Sequence, residues 1–231
     1  MRRFITKLLA YALVCGALFI AADWLLSRWM RKAHHPNIEI WNDVMEGHVD
    51  ADVIALGSSK ANTSFLPQIA DSILGTRSWN LGVLGHHFQA EMLRYEMLCR
   101  FDREPNMVVQ FLDPLFFMAG RNFDKVQFYP WFWNRIFLKS LNEYFGTRFV
   151  LENSIPFVRY HSFLPWEVSA KVKRTEKGFH SYKSELKRPF SPQRKEHFYR
   201  EENLPDMFAK FIEELKRKGI DVVIVRPPEY E

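Results

Sequence analysis

The sequence has few cysteines and lacks the short motifs of two common ligand-binding classes. Only Cys15 and Cys99 occur in 231 residues. One lies in an apolar run and the other in a helical pattern, so a disulfide between them is not expected. No Gly-x-Gly-x-x-Gly segment is present, which argues against a dinucleotide enzyme. No nucleic-acid-binding motif accompanies the mild net charge of +5, so we expect no nucleic-acid partner. A hydrophobic content of 47% excludes a disordered chain.

The most prominent feature that is present is a long apolar run near the N-terminus. Residues 8–26 (LLAYALVCGALFIAADWLL) contain one charged side chain, Asp23, and are long enough to cross a membrane. We predict an uncleaved transmembrane anchor within residues 1–32. A cleaved signal peptide ending at Ala21-Ala22 and a buried amphipathic helix are the alternatives. Three basic residues flank each end, so charge alone does not set the orientation. The short N-terminal tail favours an N-terminus in the cytoplasm and a body outside it.

Beyond the anchor, residues 33–49 are expected to form a stalk and residues 50–231 an α/β domain. Three apolar runs predict strands at residues 53–56, 107–112 and 220–225, and the last is expected to be buried. Residues 77–81 (RSWNL) are interpreted as a short second strand. Three helical patterns alternate with them, at residues 66–74, 87–101 and 204–218. This alternation predicts a mainly parallel sheet with helices on both faces, which is a three-layer α/β/α sandwich.

Residues 116–200 interrupt the alternation and are expected to form an insertion. Its first part, up to residue 149, is rich in Trp and Phe. That composition suits either a core helix or a cap that contacts a membrane surface or an acyl chain. Residues 171–200 contain ten Lys or Arg against three Glu. They suit a solvated basic loop, or contact with anionic lipid or glycan. With the anchor, this insertion makes membrane lipid an expected partner.

A serine turn follows the first predicted strand. Residues 52–65 (DVIALGSSKANTSF) pass from an apolar run through Gly57, Ser58 and Ser59 into a helical pattern. This order puts a hydroxyl at the carboxyl end of a sheet strand, where open α/β folds bind ligands. Backbone N–H groups nearby could stabilise an oxyanion. One interpretation is that Ser59 is a nucleophile. The other is that the turn is an ordinary loop with a Ser N-cap.

A second motif follows the next strand, and the two motifs together resemble a known family. Residues 79–85 (WNLGVLG) contain Asn80 and Gly85. A hydrophobic strand ending in Gly-Ser-Ser, followed by Asn-Leu-Gly-x-x-Gly, resembles the SGNH/GDSL hydrolase superfamily. It looks like the membrane-anchored bacterial branch, which includes the D-alanyl transfer protein of teichoic acid synthesis and SGNH-like partners of polysaccharide O-acetyltransferases. The resemblance covers residues 50–114 well and residues 204–228 generically, and it implies an SGNH/flavodoxin-like fold.

The resemblance implies roles for particular residues. Ser59 matches the nucleophile, with Ser58 at the place of the more usual Asp. Gly85 matches the glycine whose N–H faces the oxyanion, and Asn80 is a supporting residue of the same loop. Asp113 stands where the family has an Asn, and a carboxylate cannot donate a hydrogen bond as Asn does unless it is protonated.

The family's general base has no counterpart at its usual place. The C-terminal Asp-x-x-His block is not found, and we expect the chain to be C-terminally incomplete. His86 and His87, beside the glycine loop, are the local candidates for a base that would activate the hydroxyl.

The function implied by the resemblance is hydrolysis or transfer of an acyl ester through a serine acyl-enzyme. The substrate would be a cell-envelope glycan or polyol, and a membrane-bound O-acyltransferase is the expected partner. The protein would sit in the bacterial cytoplasmic membrane with its domain in the periplasm or outside the cell. No metal or other cofactor is required. The alternative is a catalytically inactive SGNH-fold scaffold that binds a glycan or a membrane-bound O-acyltransferase.

Overall fold

The computed structural model describes residues 1–32, 35–85, 87–112, 124–162, 176–179 and 203–227. It is an α/β structure, mostly helical, with a four-stranded parallel sheet. The four predicted strands and three predicted helices are present, with ends within one residue of those predicted. In chain order the elements are α1 (Arg2–Met30), α2 (Pro36–Met45), β1 (Val53–Leu56), α3 (Ser59–Ser64), α4 (Pro67–Leu74), β2 (Ser78–Asn80), α5 (Phe88–Phe101), β3 (Met107–Phe111), a 3₁₀ helix (Lys125–Trp131), α6 (Arg135–Glu152), a second 3₁₀ helix (Val158–Ser162), α7 (Leu204–Arg217) and β4 (Asp221–Val225).

The described residues form two compact units. The first lies within Met1–Ile38 and Lys125–Lys173, and the second within Glu39–Asp124 and Arg174–Glu231. The first unit contains α1, both 3₁₀ helices and α6, whereas the second contains the sheet. This division differs from the predicted anchor, stalk and α/β domain, because residues after position 124 pack with the end of α1.

The second unit is built on the sheet, whose strand order is β2-β1-β3-β4. All three neighbouring pairs are parallel. The register puts Asn80, the last residue of β2, opposite Ala55, the third residue of β1. The loops that follow these two strands therefore leave the sheet side by side, at the carboxyl ends of its strands. Ala55 also packs with Ala61 of α3 and Phe111 of β3, so the short helix after the serine turn is held against the sheet.

Strand β4 corrects the prediction that the last strand is buried. Val223 is 43% exposed and Ile224 is 53% exposed. The reason is position, because among the described residues β4 is the last strand of the sheet and pairs with β3 alone. An apolar run specifies a strand by its composition, but it does not specify whether that strand lies at the centre or the edge.

Helix α2 differs from the predicted stalk. Ile40, Trp41 and Val44 are fully buried, so this segment contributes to a core rather than to an exposed linker. The Arg94 guanidinium lies 5.8 Å from the ring centroid of Trp41. Both side chains are fully buried, and burial lowers the pKa of Arg94 to about 10.

Helix α5 is buried on more than the one face predicted from its sequence. Its predicted face includes Phe88 and Tyr95, and both are buried. Both rings contact Phe211 of α7, with centroids 6.1 and 5.3 Å apart. Arg94 on another face is buried as well. Contacts with both α2 and α7 explain this burial, which apolar periodicity did not indicate.

An exposed cluster of charges lies beside the amino end of β1. Arg103 donates to Asp52 and forms an ion pair with Asp50, and Arg77 pairs with the same two carboxylates. The Arg103 hydrogen bond, supported by the Arg77 backbone N–H, lowers the pKa of Asp52 to about 2. The cluster therefore joins the segments that precede β1, β2 and β3.

We expect acid to destabilise the second unit as Asp52 becomes protonated. The pKa of Asp52 is lower in the folded chain than in the unfolded chain. Its contribution to the free energy of unfolding is therefore fully present above the unfolded pKa. That contribution falls away from about pH 4 down to about pH 2. Urea unfolding across a pH series measures this, and Asp52→Asn should give a flatter profile in that window. Because the cluster is exposed, about 1 M salt should weaken the difference. Equal pH slopes in the two proteins would contradict the assignment.

In the first unit, α1 is long and apolar enough to span a membrane. The apolar window of this helix is not buried in the structure, whereas Asp23, Ser27 and Met30 near its end are buried. Residues 2–22, which precede this buried stripe, extend over about 30 Å, close to the thickness of a bilayer's hydrocarbon core. The helix therefore combines a lipid-compatible part with a C-terminal part that packs against protein.

Asp23 holds the C-terminal part of α1 to the rest of the first unit. Its carboxylate oxygens accept from Arg159 Nε at 2.9 Å and Nη2 at 3.0 Å. They also accept from the Trp133 indole N–H at 2.9 Å and the Phe157 N–H at 2.8 Å. Ser27 and Tyr160 share a hydrogen bond of 2.7 Å one helical turn further on. The one acidic residue in the apolar run thus has both carboxylate oxygens hydrogen-bonded, and it attaches α1 to the rest of the unit.

The aromatic segment combines buried and exposed aromatic side chains, and contact with a membrane surface or an acyl chain stays a prediction. Phe128, Phe132 and Phe137 are fully buried, whereas Trp133 is 52% exposed. Part of the segment is therefore core, and part presents aromatic surface. The predicted insertion also includes residues 116–123, 163–175 and 180–200, which lie outside the described residues.

Candidate active site

The serine turn begins at a position where only glycine fits. Gly57 follows β1 with a φ of +145°. A Cβ built there would lie 2.8 Å from Phe111 Cβ and 3.1 Å from the Phe111 carbonyl oxygen. Any larger residue would therefore be strained and would also press on β3. Glycine lets the chain leave the sheet sharply and enter α3 immediately.

The two serines of the turn have different environments. Ser58 is buried and caps α3, with its hydroxyl accepting from the Lys60 N–H at 3.2 Å. Ser59, the first residue of α3, is exposed. The capping interpretation of the turn therefore describes Ser58, and it leaves the Ser59 hydroxyl available to a ligand at the carboxyl end of β1.

Asn80 positions the helix that carries Ser59. This side chain is fully buried. Its amide nitrogen donates to the carbonyl oxygens of Ala61 at 2.7 Å and Phe65 at 2.8 Å. Its amide oxygen accepts from the Gly82 N–H at 2.9 Å. Asn80 thus joins the end of β2, the loop after it and the end of α3, and so has a positioning role.

The loop after β2 packs directly on α3. A Cβ at Gly82 would lie 2.6 Å from the Asn62 nitrogen and 2.8 Å from Ala61 Cβ. The Val83 N–H donates to the Gly57 carbonyl at 3.2 Å. The loops after β1 and β2 therefore lie side by side, and close packing explains the first glycine of the Asn-Leu-Gly-x-x-Gly motif.

A turn from the basic segment docks on the same group of residues. Glu176 and Phe179 form an isolated antiparallel bridge. The Asn80 N–H donates to the Lys177 carbonyl at 2.9 Å. The buried Asn62 amide donates to the carbonyls of Gly82 at 2.9 Å and Gly178 at 3.0 Å. This turn covers the side of β2 that faces away from β1, beside the candidate site.

An ion pair also holds this turn. Lys177 contacts the Asp71 carboxylate of α4, which accepts from Ser78 as well. Burial would raise the pKa of Asp71, but hydrogen bonds from Lys177 and Ser78 outweigh it and hold the pKa below its usual value. The sequence indicated a basic loop here, but nothing local to it indicated docking on β2 and α4. One basic residue of the segment is therefore structural.

The remaining predicted site residues are distributed as follows. Within the described part of the chain, Ser59 Oγ and the backbone N–H groups of Ser59 and Gly85 make no hydrogen bond. Gly85 is exposed and has a φ of +68°. His87 precedes α5 and is half-buried, and burial lowers its pKa, which favours a neutral imidazole. His86 and Asp113 lie outside the described residues.

This arrangement supplies some of the groups needed for acyl transfer. It offers an exposed hydroxyl, unoccupied backbone donors and a network that fixes the two loops. Within the described residues no group of three or more His, Cys, Asp or Glu is placed to hold a metal ion. No family model, no curated protein and no solved structure matches the chain. The functional argument therefore depends on the site's own geometry.

We expect Asn80→Asp to loosen the serine turn. The substitution is nearly isosteric, but it replaces an amide donor with a carboxylate facing the carbonyls of Ala61 and Phe65. Losing buried donors and burying a charge should lower the free energy of unfolding by about 2–4 kcal/mol. Denaturant unfolding followed by circular dichroism measures the change.

The matched control for this prediction is Asn106→Asp, because Asn106 is exposed. We expect it to change the free energy of unfolding by less than about 0.5 kcal/mol. If the two variants were equally stable, the proposed positioning role of Asn80 would be wrong.

Proposed function

We propose that the chain is a membrane-anchored, SGNH-like acyl-ester hydrolase or acyltransferase that works through a serine acyl-enzyme. The observation that carries the proposal is the exposed Ser59 at the carboxyl end of β1. The network of Asn62, Asn80 and Gly82 that fixes its helix supports it. The proposed fold is the three-layer α/β/α sandwich of the SGNH type.

In the proposed mechanism, Ser59 Oγ attacks the acyl carbonyl as a base takes its proton. The N–H groups of Ser59 and Gly85 stabilise the oxyanion. The ester C–O bond then breaks, the leaving alcohol receives the proton, and the acyl group remains on Ser59. Water or a glycan hydroxyl attacks this ester in the second half, which releases the acid or the acylated product. His86 and His87 are the local candidates for the base.

The proposed substrate is an acyl ester on a cell-envelope glycan or polyol. Support for this location comes from α1, which is long and apolar enough to span a membrane. We place the protein in the bacterial cytoplasmic membrane, with the domain in the periplasm or outside the cell. A membrane-bound O-acyltransferase is the proposed partner. It would deliver the acyl group, and Ser59 would pass that group to the glycan.

Labelling with a fluorophosphonate serine probe tests the proposal. We expect the full chain in detergent to be labelled, Ser59→Ala to lose the label and Ser58→Ala to keep it. Ser58→Ala is the matched control, because it removes a neighbouring hydroxyl and costs only a helix cap, about 1 kcal/mol. His86→Ala and His87→Ala identify a local base if either abolishes labelling. Labelling that survives in Ser59→Ala would refute the proposed nucleophile.

The second candidate function is a non-catalytic scaffold of the same fold. The specific observation in its favour is that Ser59 Oγ has no hydrogen-bonded base among the described residues, because an unactivated serine is a weak nucleophile. Such a protein would bind the glycan or the partner transferase without forming an acyl-enzyme. An unlabelled wild-type chain that retains glycan binding after Ser59→Ala would select this function.

A further inference from the structure

The first unit contains a cavity of about 580 Å³ that the serine chemistry does not use. Its volume lies within the range of roughly 300–1,000 Å³ that is usual for small-ligand sites. One wall is the C-terminal part of α1, from Ile20 to Arg31, which extends over about 16 Å. The other walls come from the first 3₁₀ helix and from the segments on either side of α6. A ligand can therefore lie along the last turns of α1.

The polar side chains of the lining already have partners within the protein. Both carboxylate oxygens of Asp23 accept hydrogen bonds, and the Ser27 hydroxyl shares one with the second 3₁₀ helix. The Asn134 side chain caps α6 by accepting from two of its N–H groups. The Arg31 guanidinium stacks on a tryptophan ring at 4.9 Å and has a further contact in the protein. The lining therefore offers a ligand apolar surface rather than an open charge.

Tryptophan rings provide much of that apolar surface. Trp24 and Trp133 both line the cavity, and each is about half exposed. The Trp133 indole N–H donates to Asp23 at 2.9 Å, and the Arg28 guanidinium lies 5.6 Å from the centroid of Trp24. Contacts at their edges and faces thus hold both rings in place. Rings that are positioned in advance and still exposed can be buried by a hydrocarbon ligand, which gains free energy from the apolar area removed from water.

One end of the cavity adjoins the part of α1 that is long enough to cross a membrane. Ile20 lines this end and is 61% exposed. Beside it, the Phe19 ring stacks on Phe157, with centroids 6.2 Å apart. Phe157 belongs to the segment after α6 that also lines the cavity, and its neighbours Ile155 and Val158 are exposed as well. Both walls therefore present exposed apolar side chains at this end, which suits contact with lipid chains.

We propose that this cavity binds the acyl chain of a membrane lipid, which enters beside Ile20 and lies against Trp24 and Trp133. The lipid headgroup stays outside the lining, so its charge does not determine binding. The inference rests on the membrane anchoring proposed above, but it does not depend on chemistry at Ser59. A bound chain would fill the space between α1 and residues 124–162 and would stabilise the contact of the anchor with them.

Photo-crosslinking from a lipid acyl chain tests the inference, because it marks the residues that the chain contacts. The full chain is placed in phosphatidylcholine nanodiscs that contain a small fraction of phosphatidylcholine with a diazirine on one acyl chain. After illumination the protein is digested, and the adducts are located by mass spectrometry. Any lipid around a membrane-spanning helix would give adducts on α1, so the informative peptides are those from residues 124–162.

Two variants with the same kind of change separate the cavity from the general lipid surface. Ile20→Trp places a larger ring at the entry to the cavity and should fill it. Leu18→Trp is the matched control, because Leu18 is an equally exposed aliphatic residue of α1 outside the lining. Two residues apart on a helix, the two side chains point in nearly opposite directions. Adducts on residues 2–17 serve as the reference for contact with lipid in each protein.

We expect adducts at Trp133 or Pro156 in the wild type, reduced by about fivefold or more in Ile20→Trp and by less than about twofold in Leu18→Trp. The same probe with a phosphatidylglycerol headgroup should give a yield within about twofold, because burial of the chain provides the affinity. Adducts on residues 124–162 with the anionic probe alone would identify a headgroup site and would overturn the acyl-chain assignment.

Wild-type adducts confined to α1, or equal adducts on residues 124–162 in the two variants, would also overturn the proposal. If Ile20→Trp does not fold, the positions of the wild-type adducts and the comparison of the two headgroups still decide it. Fluorophosphonate labelling of Ser59, measured on the same preparations, reports on the proposed enzyme separately. Loss of one property with retention of the other shows which proposal has failed.

Discussion

Ser59→Ala is expected to lower kcat/KM for hydrolysis of 4-nitrophenyl acetate by about a thousandfold or more. The substitution removes the only atom of the proposed site that forms a covalent bond with the acyl group. It should not disturb the fold, because Ser59 is exposed and its hydroxyl makes no hydrogen bond within the described residues. The change should therefore fall on kcat, with little effect on unfolding. Stopped-flow release of 4-nitrophenolate measures it against the uncatalysed rate.

Two further variants are needed to interpret this kinetic result. Ser58→Ala removes the hydroxyl that caps α3 and should keep the rate within about tenfold of the wild type, because the cost is one helix cap. Asn80→Asp should lower the rate together with the stability, because it loosens the same turn. If Ser59→Ala retained a rate close to that of the wild type, hydrolysis would have another source and the proposed nucleophile would be wrong.

Arg159→Ala is expected to destabilise the first unit by about 3–5 kcal/mol, because it leaves a buried carboxylate without its charge partner. The side chains of Arg159 and Asp23 are 0% and 2% exposed. The Arg159 guanidinium also lies 4.4 Å from the Phe132 ring centroid and 4.7 Å from that of Trp133. The substitution therefore removes an ion pair and two aromatic contacts together. Hydrogen exchange of peptides from residues 124–162, in detergent, measures local opening.

Arg148→Ala is the matched control for this substitution. Arg148 pairs with Glu152 at 2.8 Å, but those side chains are 92% and 58% exposed. An exposed pair one helical turn apart is screened by water, so Arg148→Ala should leave the exchange rates close to those of the wild type. The two variants remove the same residue type from the same unit. The difference between their exchange rates therefore measures the effect of burying the ion pair. Equal exchange in both would contradict the role given to the Asp23–Arg159 pair.

Local sequence patterns were sufficient to predict the elements of the sheet and its helices. The strand before Ser59, the helix that begins at Phe88 and the helix that ends before Gly219 were found within one residue, because apolar periodicity and Gly or Pro at element ends are local properties. Burial was less predictable. The exposure of β4 and the burial of α5 on more than one face depend on which elements lie beside them, and a periodic pattern does not specify that.

The candidate site was predictable in part for the same reason. The Gly-Ser-Ser turn and the loop after Asn80 have sequence signatures, and the register brings the ends of β1 and β2 together. Docking of Lys177 and Gly178 on this site joins positions about a hundred residues apart. The pairing of Asp23 with Arg159 spans 136 residues. Neither pairing has a local signature, so both became visible only in the folded chain.

The most direct test of the proposed acyl-enzyme is to trap it and locate it. The full chain is mixed with 4-nitrophenyl acetate, quenched in acid and digested, and the peptides are analysed by mass spectrometry. We predict a single acetyl group on the peptide that carries Ser59, located at Ser59 by fragmentation and absent from Ser59→Ala. An acetyl group on another residue, or one that persists in Ser59→Ala, would contradict the proposed mechanism.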